Sequence, residues 1–218
     1  MRIVHFSDVH IGVENYGRPA SEVDLEALPP YFAPGVDRTG YLGLSTRLLD
    51  FLVTLDELVE YALTHAVDLV IFAGDAYKNR DPSQTHQREF ARRMAHLTKA
   101  GIPVFLLSGN HDLPHTAGRA NALEIFPTLD VSNIVVGDRL TTHVMPTAAG
   151  AVQIIALPWI RRSAFLARDE TRDLTLEQIT QHLQDRLTRL VREQIDTLDP
   201  SLPSILCGHV TLSSAKLS

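Results

Sequence analysis

Apolar positions along this chain fall into two kinds of block: short unbroken runs, and longer stretches in which they recur at steps of three and four. The runs Arg2–Phe6, Asp68–Ala73, Val104–Leu107, Asn133–Val136, Thr141–Met145, Val152–Leu157 and Ile205–Cys207 predict strands. The second is so uniformly apolar that burial on both faces is expected. Between Ser45 and Ala66, the residues Leu48, Leu49, Leu52, Leu55, Leu58, Val59 and Leu63 line one face of a helix. A second helix follows Pro82-Ser83 and runs to about Ala100, where Gly101 and Pro103 close it. Thr175 with Gln178 three residues on reads as a capping box. It opens a long helix whose apolar face, Leu176, Ile179, Leu183, Leu187, Leu190 and Val191, continues towards Leu198. Val13–Gly43 shows no clear period and reads as a long loop. The first part alternates as βαβαβ, which implies right-handed crossovers between parallel strands. The shorter strands beyond Phe126 are expected to pair antiparallel, with the long helix covering them.

Composition narrows the class. With 44% hydrophobic and 21% charged residues in a chain of 218, the sequence is that of one soluble α/β domain with a substantial core. Its net charge of -6 excludes a protein that grips nucleic acid through a basic surface alone, so action on DNA would require metal ions or a partner. No apolar run approaches the ~20 residues that cross a bilayer. The start runs directly into a strand without a signal-peptide pattern, so no membrane association and a cytoplasmic location are expected. Cys207 is the only cysteine and is expected to be a buried thiol.

Candidate chemistry lies where strands end. Four runs stop at polar clusters: Asp8-Val9-His10, Gly74-Asp75, Gly109-Asn110-His111-Asp112 and Gly208-His209. In open α/β sheets, ligands bind beyond the carboxyl ends of strands, so clusters far apart in sequence would converge on one edge. Their carboxylates, imidazoles and amide oxygen suit a pair of manganese, iron or zinc ions. Asp8 and His10, alternating at the strand end, can hold one ion, Asp75 can bridge, and Asn110 with His209 can hold the other. His111 is assigned to the scissile phosphate as a charge stabiliser or general acid, and Asp112 is expected to orient an imidazole. His5 is expected in the core. His65, His86, His96, His115, His143 and His182 are expected at the surface, and Arg161-Arg162 with Trp159 are expected to be solvated, with a DNA-facing patch as the alternative.

D-x-H, G-D, G-N-H-D and G-H, in this order from Met1 to about His209, resemble the motifs of calcineurin-like metallophosphoesterases. Within that superfamily, Ser7-Asp8-Val9-His10-Ile11-Gly12 and the Gly74-Asp75 strand end followed by Pro82-Ser83 are similar to SbcD-type DNA repair nuclease subunits. The resemblance implies a four-layer α/β/β/α sandwich with two mixed sheets and two manganese ions. It implies 3′-to-5′ exonuclease and endonuclease action on DNA ends and hairpins in double-strand break repair, an SbcC-like ATPase partner, and a homodimer. It makes Asp8, His10, Asp75, Asn110 and His209 metal ligands and His111 the catalytic histidine. Lys78 stands where relatives often have Asp or His, and is a possible phosphate contact. The family's later G-H-x-H motif and DNA-capping region are not found in residues 1–218. The expectation is therefore a C-terminally incomplete nuclease domain over 1–218 with little activity alone. A related phosphoesterase acting on phosphoproteins, nucleotides or phosphomonoesters is the first alternative. Asp112 and Gly74-Asp75-Ala76-Tyr77 depart from the protein-phosphatase motifs. A non-catalytic scaffold with the same fold is the second, and it would be expected to lose ligands that are intact here.

Overall fold

Parallel pairing between Ile3 and Gly137 builds the sheet that carries three of the four polar strand ends. The computed structural model describes residues 1–114, 116, 118–161 and 174–211. In this sheet β1 (Ile3–Phe6), β2 (Leu69–Phe72), β3 (Val104–Leu107) and β4 (Ile134–Gly137) lie side by side in chain order. Phe6 stands beside Phe72 and Phe72 beside Leu106, so the strands end level with one another. β4 departs from the antiparallel pairing expected of it. The connection after β3, which includes the short helix Ile125–Thr128, returns the chain to the starting end of the sheet, and β4 enters in the same direction as β3.

β5 (Thr141–Met145) and β6 (Val152–Leu157) form an antiparallel pair, and β7 (Ser204–Gly208) joins β6 in parallel. The sandwich thus has one parallel and one mixed sheet, where the resemblance implied two mixed ones. Alternation along β2 and β3 explains why both faces are apolar. Val70, Phe72, Val104 and Leu106 pack with the helices Thr46–Thr64 (α2) and Gln84–Lys99 (α3). Leu69, Ile71, Phe105 and Leu107 pack with Met145, Val152, Ile154, Ala156 and Cys207 of the second sheet. Each such fully buried side chain contributes about 1.5–3 kcal/mol.

The outer layer is the helix Leu176–Asp196, here α5. Thr175 caps it by accepting from Gln178 N, as the capping box predicts. Ile179, Leu183, Leu187, Leu190 and Val191 form a half-buried stripe, whereas Leu176 remains exposed. Thr142 donates to Gln194 Oε1 at 3.0 Å and ties this helix to β5. The layers are α2 with α3, the parallel sheet, the mixed sheet, and α5.

Val13–Gly43 is not the unstructured loop its lack of period suggests. It contains a short helix, Glu22–Glu26, and a 3₁₀ turn, Arg38–Tyr41. Leu25, Phe32, Ala33 and Tyr41 are buried in the helical core. A buried polar network fastens it. Asp56 Oδ2 accepts from Ala33 N at 3.0 Å and from Arg93 Nη2 at 2.6 Å, while Tyr41 donates to Glu89 at 2.8 Å. Arg93 also donates to Glu89 at 3.0 Å. These partners are too far apart in sequence to show as a pattern.

Several single-residue expectations change. His5 is exposed: β1 is an edge strand, and among the described residues none of the second sheet's core side chains packs with it. His143 is partly buried with its ring 5.5 Å from Phe105, and burial lowers its pKa. Cys207 is buried as expected, which pushes its thiol up to about 11. His115, Arg162 and the stretch after Thr211, where no further strand was expected, lie outside the described residues. Among the described residues, no helix is long and apolar enough to cross a membrane.

Candidate metal centre

The strand ends meet through a set of close backbone approaches that only glycine permits. A Cβ on Gly109 would stand 2.2 Å from Asp75 Oδ1, and one on Gly74 would stand 2.5 Å from His209 Nδ1. Beyond β1 the chain continues to track the β2 extension: Asp8 N donates to Gly74 O at 2.9 Å and His10 N to Asp75 O at 3.1 Å. Asp8, His10 and Asp75 all have positive φ, 55°, 49° and 64°. Simple strand alternation, expected to aim Asp8 and His10 together, therefore does not operate. The left-handed turns do it instead, at a cost of about 1–3 kcal/mol each that the flanking hydrogen bonds sustain.

The side chains converge on Asp75. Its carboxylate is almost fully buried, 4% exposed, and His10 Nε2 lies 3.7 Å from its Oδ2 while His209 Nε2 lies 3.6 Å from the same atom. His10 Nε2 is also 3.6 Å from Asp8 Oδ1. Asp75 Oδ1 accepts from His111 N at 2.8 Å, which leaves Oδ2 turned towards both imidazoles. These gaps are too long for hydrogen bonds and close to the separation of about 3.0–3.4 Å between ligand atoms that share an ion at ~2.1 Å.

His209 gives the sharpest test of whether this set suits a cation. Its Nδ1 lies 2.7 Å from Ala73 O, and a carbonyl can only accept, so Nδ1 carries the hydrogen. In the neutral ring Nε2 then presents a lone pair. It points at Asn110 Oδ1, 3.1 Å away, and at Asp75 Oδ2. Three acceptors facing one another repel unless a cation stands between them, and fixing the second ring nitrogen on a carbonyl is how proteins set the tautomer of a ligating histidine. His10 lacks that support: its Nδ1 is buried, with no hydrogen-bond partner among the described residues.

His111 Nδ1 donates to Lys78 O at 2.7 Å, so its Nε2 is the free nitrogen. The ring stands edge-on to His10 with centroids 4.9 Å apart, and it reaches within 4.8 Å of both His10 and Asp75. Asp8, Asp75 and His209 form a second such group. The main-chain carbonyl of Lys78 thus orients the ring, while its side chain is exposed. Lys78 is itself held by donating its N–H to Ile11 O at 2.9 Å.

Among the described residues, Asp112 is bonded to main-chain N–H groups and to no imidazole, the partner expected of it. It is 0% exposed, and its carboxylate accepts from Asp75 N at 2.8 Å, Gly109 N at 2.9 Å and Ala76 N at 3.0 Å. Burial raises its pKa, and the three N–H donors act against that rise. It clamps the two turns that carry Asp75 and Asn110. Sequence reasoning also passes over His86, expected at the surface. Its ring is half-buried against Gly12 and pairs with Glu14 at 2.7 Å. Trp159 stands with its ring 6.2 Å from His209.

The SbcD subunit of the SbcCD nuclease of Escherichia coli (strain K12) is 25% identical over 226 aligned positions, covering 100% of this chain and 48% of that protein. The DNA double-strand break repair protein Mre11 of Thermoplasma acidophilum is 29% identical over 119 positions, 55% of this chain and 25% of that protein. The Mre11 of Haloferax volcanii is 27% identical over 169 positions, 78% and 30% respectively. The chain spans about half the length of the Escherichia coli SbcD proteins that it matches throughout. The sequence model of the calcineurin-like phosphoesterases matches residues 1–215, and the chain belongs to that family.

Proposed function

We propose that this chain carries the catalytic centre of a metal-dependent DNA nuclease that hydrolyses phosphodiester bonds at DNA ends and hairpins, with 3′-to-5′ exonuclease and endonuclease action, in double-strand break repair. The observation that carries this reading is the convergence on His209 Nε2 of two oxygens, Asn110 Oδ1 at 3.1 Å and Asp75 Oδ2 at 3.6 Å. Asp8, His10 and Asp75 would hold one divalent ion, and Asp75, Asn110 and His209 the other. Bound there, such a pair supplies the positive charge that activates water and clamps a phosphate. The protein's own contribution is positional. Asp112 holds the two turns together, and the Lys78 carbonyl keeps His111 Nε2 free to meet the scissile phosphate or give a proton to the leaving oxygen. Manganese as the metal, an SbcC-like ATPase as partner and a homodimer belong to the same reading on the strength of the motif resemblance, and the cytoplasm on the chain's start without a signal-peptide pattern; the names of the relatives support a nuclease subunit in DNA double-strand break repair. A phosphomonoesterase is the competing function. Assaying linear duplex DNA against p-nitrophenyl phosphate, with manganese, separates them. Preferential DNA cleavage supports the nuclease, and turnover of the monoester alone would overturn it.

A further inference from the structure

Next to the metal centre lies a cleft of about 560 Å³ that the phosphate chemistry does not use, walled in part by the same Trp159 whose ring stands 6.2 Å from His209. Its volume falls in the range of small-molecule sites. Trp159 is 36% exposed. Its main chain is fixed by donating N–H to Ser108 O at 3.0 Å, directly before the Gly109-Asn110-His111 turn. The ring therefore stands at a set position relative to the metal ligands. Around it the cleft presents Arg119, Arg139 and Arg161 against the acids Glu124 and Asp138. Arg139 Nε lies 3.8 Å from Asp138, so the described lining carries one net positive charge, with Arg119 and Arg161 to meet an anion, in a chain of net charge -6. Asn121 adds a polar edge, and Leu190 of α5 an apolar one. Among the described residues, the buried Arg161 Nη2 has no hydrogen-bond partner.

An aromatic face, guanidinium groups and an amide beside a phosphodiester centre match the two surfaces of a nucleotide: the ring stacks on the aromatic, and the flanking phosphate meets the arginines. We infer that this cleft receives an unpaired nucleobase next to the scissile phosphate, with Trp159 as its stacking platform. The inference rests on the phosphodiesterase reading of the adjacent site. It means that DNA must open locally before it is cut, since a paired base has both faces stacked in the duplex.

Trp159 is the only tryptophan, so its fluorescence reports this cleft alone. In EDTA, which keeps the metal centre out of the measurement, deoxyadenosine 5′-monophosphate should quench that fluorescence, and deoxyribose 5-phosphate, which has no base, should not. With manganese, Trp159→Ala should lose about 5- to 100-fold in kcat/KM on a single-stranded oligonucleotide, mainly through KM, and Trp159→Phe should recover most of it. The loss should shrink sharply on an oligonucleotide of abasic residues. Absence of quenching, equal quenching by the baseless sugar phosphate, or an equal loss on both oligonucleotides would overturn the inference. The EDTA titration decides the cleft whether or not this chain, expected to have little activity alone, cleaves the oligonucleotide, and turnover of a phosphomonoester alone would instead fail the phosphodiesterase reading.

Discussion

Replacing Asp112 should damage both stability and metal binding, in an order that its hydrogen bonds dictate. Oδ2 accepts from Asp75 N and Gly109 N, and Oδ1 from Ala76 N, all in a fully buried setting. Asp112→Ala strands three backbone donors. Each orphaned buried group costs about 1–3 kcal/mol, so a non-additive total of roughly 3–6 kcal/mol is expected. That is a large part of the ~5–15 kcal/mol that holds an ordinary domain folded. Asp112→Asn can keep its oxygen at the Oδ2 position and so keep two of the three bonds, but its NH₂ then faces the Ala76 N–H. The cost should be about 1.5–3 kcal/mol. Because the lost bonds include the Asp75 amide in the alanine variant and loosen its turn in both, the carboxylate should shift as well, and manganese affinity should fall about 10- to 100-fold in Asp112→Asn. Urea denaturation followed by circular dichroism gives the first quantity and calorimetric manganese titration the second. Unfolding midpoints and manganese affinities equal to those of the unmodified protein in both variants would refute the clamp.

Other perturbations give separate tests. His111→Ala should lower DNA cleavage by about 10²- to 10⁴-fold with manganese content retained, as measured by elemental analysis. Loss of metal would make the side chain a ligand instead. Arg93→Met leaves buried Asp56 without its guanidinium partner, while Glu89 keeps Arg88, Arg92 and Tyr41, and should cost about 3–5 kcal/mol in urea denaturation, and proteolysis should then begin within Val13–Gly43. Burial holds the folded-state pKa of His143 below its ordinary 6.5, so the unfolded chain takes up that proton more readily. The stability it contributes is complete above pH 6.5 and is lost as the pH falls, and His143→Phe should flatten this part of the acid limb of the urea midpoint.

What the sequence discloses and what it hides follow from the range of the interactions. The runs that form β2, β3 and β6 and the stepped leucines of α2 are local patterns, and the structure places them within a residue or two of expectation. The ligand candidates are legible because each sits at the end of such a run. How they converge is not. Positive φ at Asp8, His10 and Asp75 is set by pairing with another strand, and nothing adjacent in sequence announces it. The same holds for Asp112, whose donors at Asp75 and Ala76 lie 37 and 36 residues away. Likewise His86 meets Glu14 across 72 residues. The direction of β4 depends on where the preceding connection leaves the chain, which periodicity does not record.

The central proposal is that Asp75 would serve two ion sites, and manganese binding by Asp75→Asn tests it most directly. The amide preserves size and can keep the Oδ1 acceptor for His111 N while replacing the Oδ2 that faces both His10 and His209. In equilibrium dialysis, Asp75→Asn should bind less manganese than either Asp8→Ala or His209→Ala, each of which removes a ligand from one site only. Binding by Asp75→Asn equal to that of the unmodified protein, or reduced no further than in those two variants, would contradict a shared centre.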